Sequence, residues 1–172
     1  MASDENYANG IDIASNSTGI VENNKIFVSS PFVVYGIYGE MGAEDSPTVD
    51  YLNNYVEADS HAVYAMNIYG NEGTIEGNEI IATGNYTAGI VSMMMYDVAV
   101  ITNNEITVNG LKNDSEDVGD MVPAQTVGIL TMSESQIHNN VITSTGIYSI
   151  INSASGSEIT YNYLVSSELL GD

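Results

Sequence analysis

Three tyrosines occupy similar places in the sequence, and their side chains are suited to ligand binding. Tyr38, Tyr64 and Tyr148 directly follow a small and an aliphatic residue, Gly-Ile in two cases and Ala-Val in the third. We expect the three rings to point outward from one sheet, with Tyr38 and Tyr64 stacked on each other. A tyrosine joins a flat apolar ring to a hydroxyl group, which suits contact with sugars or protein partners. An aromatic ladder that only stabilises the sheet is the alternative interpretation.

A dense acidic segment in the second half of the chain has the chemistry of a cation site. Asp114, Glu116, Asp117 and Asp120 offer carboxylate oxygens, the ligands that calcium prefers. The spacing differs from that of an EF-hand loop, because Val118 falls at a ligand position counted from Asp114. The alternative is a solvated, charged loop without metal. Calcium is the one cofactor for which the sequence gives an argument.

A run of three methionines and two isolated histidines complete the candidate residues. Because successive residues of a strand point to opposite faces, at least one residue of the run Met93-Met94-Met95 must face outward. We therefore treat Met94 as a further candidate for contact with a ligand or with a neighbouring loop. His61 and His138 are expected on the surface at unrelated positions, which is a poor arrangement for a shared metal site.

The charge of the chain excludes several classes of partner. Asp and Glu number 23 against two Lys and no Arg, which gives a net charge of −21 at pH 7. Such a chain repels the phosphates of nucleic acids and of anionic lipids. No apolar run is long enough to cross a bilayer, so no membrane insertion is expected. Hydrophobic residues make up 44% of the 172 residues, which predicts a folded core.

One short phrase recurs six times and predicts the elements that hold these residues. It consists of an aliphatic residue or Tyr, two variable residues, Asn, one variable residue, and an aliphatic residue. A second phrase, a small residue followed by an aliphatic one, precedes each copy. Consecutive copies of the Asn are 22 to 36 residues apart, which indicates fixed strands joined by turns of variable length. The repeated residues are Asn24, Asn54, Asn78, Asn104, Asn140 and Asn162.

This pattern predicts an all-β fold, a single-stranded right-handed parallel β-helix (β-solenoid) of about six coils. The asparagines are expected to point inward at one corner and to hydrogen-bond to one another between coils, about 4.8 Å apart. The glycines before the aliphatic residues suit a corner that needs positive φ or close approach of backbone. No stretch sustains an apolar stripe with helical period, so helical folds are disfavoured.

We expect one domain over residues 1–172, with coils roughly from 10 to 165. Loop insertions are expected at 39–47, 83–87 and 111–125, where the chain exceeds the shortest coil. The ends of a β-helix expose unpaired strand edges. We expect the chain to be a piece of a longer array, and self-association through the exposed ends is the alternative.

The two phrases resemble the right-handed β-helix repeats of the pectate-lyase-like superfamily over nearly the whole chain. The Asn- and Ser-rich, Lys-poor composition is most similar to the adhesin-like surface proteins of methanogenic archaea. Enzymes of the superfamily use an Arg or Lys base with acidic calcium ligands, or paired Asp with a His and a basic residue. This chain has no Arg, its Lys25 and Lys112 lie far apart, and it shows no comparable Asp pair. The resemblance therefore implies no recognisable catalytic constellation.

These observations predict a non-enzymatic, extracellular or cell-surface module that binds glycans or surface proteins. The N-terminal residues lack the basic and apolar segments of a signal peptide, so this localisation requires a signal that this version of the chain does not contain. A cytosolic location is the alternative. Two other functions stay open: a carbohydrate-active enzyme with an unrecognised acidic site, and a subunit of an end-to-end filament.

Overall fold

The computed structural model describes residues 7–15, 17–40, 48–70, 73–93, 98–111, 126–146 and 148–166. All regular structure in these ranges is β-strand, and none of it is a helix that could span a membrane. The strands are β1 (Tyr7–Ile13), β2 (Thr18–Glu22), β3 (Lys25–Gly39), β4 (Thr48–Leu52), β5 (Tyr55–Tyr69), β6 (Thr74–Glu76), β7 (Glu79–Gly84), β8 (Tyr86–Met93), β9 (Ala99–Thr102), β10 (Glu105–Gly110), β11 (Val127–Thr131), β12 (Ser135–His138), β13 (Val141–Ser144), β14 (Tyr148–Asn152), β15 (Glu158–Thr160) and β16 (Tyr163–Ser166).

Each turn of the chain contributes one strand segment to each of three faces, and all strand pairing is parallel. The first face holds the first halves of β3 and β5, then β7, β10, β13 and β16. The second face holds β1, the second halves of β3 and β5, then β8, β11 and β14. The third face holds β2, β4, β6, β9, β12 and β15. The predicted all-β parallel solenoid is confirmed, with about five turns where the sequence predicted about six coils.

The core consists of columns of like side chains, because parallel pairing sets each residue over its equivalent one turn away. On the third face Ile75, Ile101 and Ile137 stack in one such column, and their exposed fractions are 0–2%. Each buried isoleucine contributes about 1.5–3 kcal/mol of transfer free energy. Every turn therefore buries a similar apolar surface against the turn before it.

An asparagine ladder runs along the corner between the third and first faces. Every Nδ2 except the last donates to the Oδ1 of the asparagine one turn on, at 2.9–3.0 Å. The backbone N–H donates to that same Oδ1 at 2.9–3.1 Å. From the second rung onward, Nδ2 also donates to a carbonyl oxygen of the previous turn. The rungs are the six repeated asparagines, Asn24, Asn54, Asn78, Asn104, Asn140 and Asn162.

The residue before each rung has a left-handed backbone, with φ between 52° and 66°. Side chains other than Gly and Asn are strained in this region, because Cβ approaches the following carbonyl oxygen. The sequence follows this rule in five turns and departs from it at Tyr161 in the last one. These residues are Asn23, Asn53, Gly77, Asn103, Asn139 and Tyr161.

The glycines on the second face are required by close approach of backbone rather than by positive φ. A Cβ at Gly89 would lie 2.5 Å from Cγ2 of Ile106 on the first face and 2.6 Å from the carbonyl oxygen of Gly128 one turn on. Any larger side chain there would force the two faces apart. Of the two reasons expected for these glycines, the structure supports the second.

The predicted insertions have different outcomes. Thr83–Thr87 is not a loop: β7 continues to Gly84 and β8 begins at Tyr86, so Asn85 alone lies between the strands. A hydrogen bond closes this tight turn: Oγ1 of Thr87 donates to the carbonyl oxygen of Gly84 at 2.9 Å. Residues 41–47 and 112–125, which make up most of the other two insertions, lie outside the described residues.

Candidate binding groove on the second face

A cluster of tyrosines covers the outer side of the second face in the first turns. The rings of Tyr35 and Tyr64 are stacked, with centroids 5.3 Å apart and planes at 14°. Tyr38 lies beside Tyr35, with centroids 5.2 Å apart and planes at 56°. Tyr69 meets Tyr38 edge to face at 6.1 Å. The four rings form one continuous aromatic surface.

The predicted stacking of Tyr38 on Tyr64 is wrong, although both rings belong to the cluster. Tyr64 pairs with Tyr35 across the sheet, and Tyr38 pairs with Asn67. The phrase used to align this turn, Ala62-Val63, lies three residues too early. Its true equivalent is Ala65-Met66, which the sequence conceals because Met stands where most turns have Ile.

Tyr148 is misaligned for the same reason and lies apart from the cluster. Ile150 occupies the core column of Ile129, and Tyr148 accordingly pairs with Val127. Ala88 and Val127 separate Tyr148 from Tyr64 along this column, a distance of about 14 Å over three turns. Tyr148 is 45% exposed. It is too distant to share a small ligand with the cluster.

A groove of about 430 Å³ opens beside the cluster, at the N-terminal edge of the second face. Its volume falls in the range of small-molecule sites, roughly 300–1,000 Å³. The lining combines aromatic rings, two carboxylates and one amide, and it comes from β1, the second half of β3 and the residue that follows β3. The lining residues are Tyr7, Asn9, Asp12, Val33, Tyr35, Tyr38 and Glu40.

Two amides at the groove and the cluster hold polar atoms in place. Asn9 donates from Nδ2 to Oδ2 of Asp12 at 2.9 Å, which orients this carboxylate at the groove. Asn67, only 3% exposed, donates from Nδ2 to the hydroxyl of Tyr69 at 3.5 Å. Its Oδ1 has no hydrogen-bond partner within the described residues. An unpaired buried carbonyl oxygen costs about 1–3 kcal/mol, so the cluster tolerates a local loss of stability.

The phenols of Tyr64 and Tyr38 resist ionisation. Burial raises the pKa of Tyr64 to about 12, with smaller contributions from Tyr35 and Tyr69. Burial also raises the pKa of Tyr38, and Tyr69, Glu40 and Asp12 add to the effect. The hydroxyl groups therefore remain protonated at neutral pH and available as hydrogen-bond donors.

Beyond the groove, apolar side chains continue along the outer side of the second face. They form an apolar patch separate from the core and from the tyrosine cluster, although both include Tyr64, and their exposed fractions are 0–9%. The second face thus changes character along the solenoid, from tyrosines and acids in the first turns to aliphatic residues further on. The apolar patch consists of Tyr64, Ala88, Val91, Val127 and Leu130.

Met94 and the acidic residues Asp114, Glu116, Asp117 and Asp120 lie outside the described residues, so the calcium and methionine proposals stay predictions. Elsewhere in the described ranges, no three His, Asp or Glu side chains come close enough to hold a metal ion.

The two histidines lie on different faces, in line with their unrelated repeat positions. His61 is exposed at the bend of β5, where its ring meets Tyr86 and its Nδ1 lies 3.1 Å from Nδ2 of Asn85. His138 ends β12 on the third face, and its Nδ1 lies 2.8 Å from Oγ1 of Thr160. Each contact joins one turn to the next.

Sequence reasoning missed Tyr7, Tyr35, Tyr69, Asp12 and Glu40 as groove and cluster residues. A signal for Tyr35 was available, because it lies 11 residues after Asn24 while Tyr64 lies 10 after Asn54. Counting from the ladder would have aligned these two rings.

Comparison with known proteins identifies no relative: no family model, no curated protein and no solved structure matches the chain. The resemblance to pectate-lyase-like repeats therefore rests on the repeated phrases alone. The structure itself shows a parallel β-solenoid.

Proposed function

We propose that this chain is a non-enzymatic binding module of adhesin-like or surface-layer type, which binds glycans in the groove on its second face. The observation that carries the proposal is the joint lining of the 430 Å³ groove by tyrosine rings and carboxylates. Secretion to the cell surface is part of the proposal, and the strongly acidic surface and the repeat pattern support it.

The chemistry of the groove matches that of a sugar. The C–H faces of a pyranose ring pack on aromatic rings, and Tyr35 and Tyr38 present two such rings at 56°. Sugar hydroxyls donate to carboxylates and accept from phenols, and Asp12, Glu40 and the tyrosine hydroxyls provide both kinds of partner. Strands β1 and β3 hold the backbone of Asp12, Tyr35 and Tyr38 in place, which lowers the entropy cost of binding.

Glycan-array binding followed by calorimetry tests this proposal. The double variant Tyr35→Ala plus Tyr38→Ala should weaken binding at least ten-fold, since it removes both stacking surfaces. Tyr148→Ala plus Tyr163→Ala is the matched control, because these exposed rings lie outside the groove, and it should bind like the unaltered protein. Absence of binding to any glycan, or equal loss in both variants, would contradict the proposal.

The glycans that bind also test the enzymatic alternative. Asp12 and Glu40 supply two carboxylates at the groove, the pair that a glycoside hydrolase requires. Incubating the glycans that bind and measuring new reducing or unsaturated ends distinguishes turnover from binding. Product formation that is lost in Asp12→Asn or Glu40→Gln would replace the non-enzymatic proposal with a hydrolase.

A second candidate function is end-to-end assembly with further copies of the chain. It is favoured by the exposure of apolar side chains in the last turn. The inward-facing side chains of Ile159 and Leu164 are 44% and 47% exposed, whereas their equivalents Ile137 and Ile142 are fully buried. The ladder also has a direction. Within the described residues its first rung offers a free Oδ1 and its last rung a free backbone N–H, so the two ends are complementary.

Sedimentation velocity and electron microscopy over a range of concentrations test the assembly. Leu164→Asp should abolish concentration-dependent rods, because it places a charge on the apolar cross-section. Val141→Asp adds the same charge on the outer side of the first face and serves as the control. A single species at all concentrations would rule out this second function.

A further inference from the structure

The groove contains negative charge without any compensating cation. Asp12 and Glu40 are both exposed at the groove, and its remaining lining is uncharged. Lys25, the one basic side chain among the described residues, begins β3 on the first face, away from the groove. A ligand that brings a positive charge therefore meets attraction and no competing partner.

The aromatic rings add to this preference. The face of a tyrosine ring is the negative end of its quadrupole, and ammonium groups near aromatic faces gain about 0.5–2 kcal/mol. Asp12 pairs with Tyr38 across the sheet, so a carboxylate lies one strand away from a ring, about 4.8 Å in the pairing direction. Because burial keeps the pKa of Tyr38 high, the ring remains a neutral phenol that accepts a cation on its face and donates from its hydroxyl.

One oxygen of the Asp12 carboxylate is already positioned. Nδ2 of Asn9 holds Oδ2 at 2.9 Å, and Oδ1 has no donor within the described residues. A ligand ammonium has three N–H donors, and it can reach Oδ1 of Asp12 and the Glu40 carboxylate while its carbon skeleton packs on Tyr35 and Tyr38. A hydroxyl group, by comparison, has a single donor and no charge.

We infer that the groove selects glycans that carry free amino groups, by pairing a sugar ammonium with Asp12 and Glu40 against the faces of Tyr35 and Tyr38. This inference rests on the proposed glycan binding and names its substrate class. It also predicts that glycans rich in uronic acid are rejected, since their carboxylates would meet two like charges in a chain of net charge −21.

Four β-1,4-linked or related tetrasaccharides separate the contributions. The glucosamine, N-acetylglucosamine and glucose tetramers differ only at C2, and a galacturonate tetramer supplies the opposite charge. We expect the glucosamine tetramer to bind at least ten-fold more tightly than the acetylated and neutral tetramers, with no binding of the galacturonate tetramer. The double variant Asp12→Asn plus Glu40→Gln should remove the preference and retain the weaker neutral binding.

A charge-matched control separates the groove from the general field of the protein. Glu79→Gln plus Glu105→Gln removes the same two charges from exposed positions on the first face, and it should keep the preference. Equal loss in both double variants, or equal affinity for the amino and neutral tetramers, would overturn the selectivity while leaving glycan binding intact. If none of the four tetramers binds and glycan arrays are also blank, the proposed function itself fails.

Discussion

The ladder corner and the second-face groove differ in how the sequence encodes them. At the corner, the same amide makes the same hydrogen bonds in every turn. At the groove, the column of Tyr38 changes its residue at every turn: the residues paired along it are Asp12, Tyr38, Asn67 and Val91. Repetition stabilises the rod, whereas a binding site requires different residues on successive turns. In a solenoid, columns that break the pattern are therefore where function should be sought.

Removing an internal rung should produce the largest effect. Asn104 is 1% exposed and its side chain takes part in five hydrogen bonds, so Asn104→Ala leaves several buried groups unpaired. We expect a loss of about 3–5 kcal/mol in the free energy of unfolding. Asn24→Ala, at the half-buried first rung, should cost about 1–2 kcal/mol. Urea denaturation checks both, and equal losses would show that the ladder does not act as a buried network.

Alkaline pH tests how much a buried core tyrosine contributes to stability. Tyr51 is 1% exposed in the core, and burial raises its pKa to about 12, against 10 in the unfolded chain. The unfolded chain loses this proton first, so the stabilisation is complete below pH 10 and disappears as pH rises through 12. Between pH 10 and pH 12 the free energy of unfolding therefore falls by an amount on the order of 2–3 kcal/mol.

The variant Tyr51→Phe cannot ionise and should lose less stability than the unaltered protein over this pH interval. Denaturation midpoints at pH 9 and pH 11.5 provide the comparison. An unchanged pH dependence in Tyr51→Phe would assign the alkaline effect to the outer tyrosines instead.

Restoring the repeat in the last turn should stabilise the protein. Tyr161 has a φ of 57° and is 87% exposed, so its ring gains little contact in return for the backbone strain. Tyr161→Asn should raise the free energy of unfolding by about 1 kcal/mol. The reverse change at an equivalent position, Asn139→Tyr, should lower it by a similar amount. Thermal unfolding of the two variants measures this, and shifts of the same sign would contradict the explanation.

The smallest effect is expected on the exposed first face, where Glu79 and Glu105 are direct neighbours on adjacent strands. Like charges in this arrangement repel, so Glu105→Lys should stabilise the fold by about 0.5 kcal/mol at low salt. Glu105→Gln, which removes the repulsion without adding attraction, should fall between. A gain that persists in 1 M salt would not be electrostatic.

The sequence predicted the part of the molecule that repeats. The spacing of the asparagines was enough for the all-β parallel solenoid, because a buried amide at a fixed corner tolerates no substitute. The outer face was aligned incorrectly, since Met66 replaces Ile and Ser149 replaces Gly in the guiding phrase. Between Ser30 and Val33, β3 also contains one residue more than the paired segment of β5, which offsets the count of residues in the first turn by one.

Groove residues could not be assembled from the sequence, because their meeting depends on the register of specific turns. Asp12 and Tyr38 are 26 positions apart, yet pairing of β1 with β3 places them side by side. The left-handed positions, by contrast, were readable: the first Asn of each Asn-Asn pair marks them.

The parallel stacking of one turn on the next has a consequence for how such a protein changes in length. A turn inserted or excised between two ladder asparagines leaves every other rung with an equivalent neighbour. Genetic duplication of one such unit adds a coil without redesigning any junction, provided that the unit ends at equivalent corner residues. The rod is thus free to grow or shrink in whole turns during evolution, while the groove on its second face stays near one end.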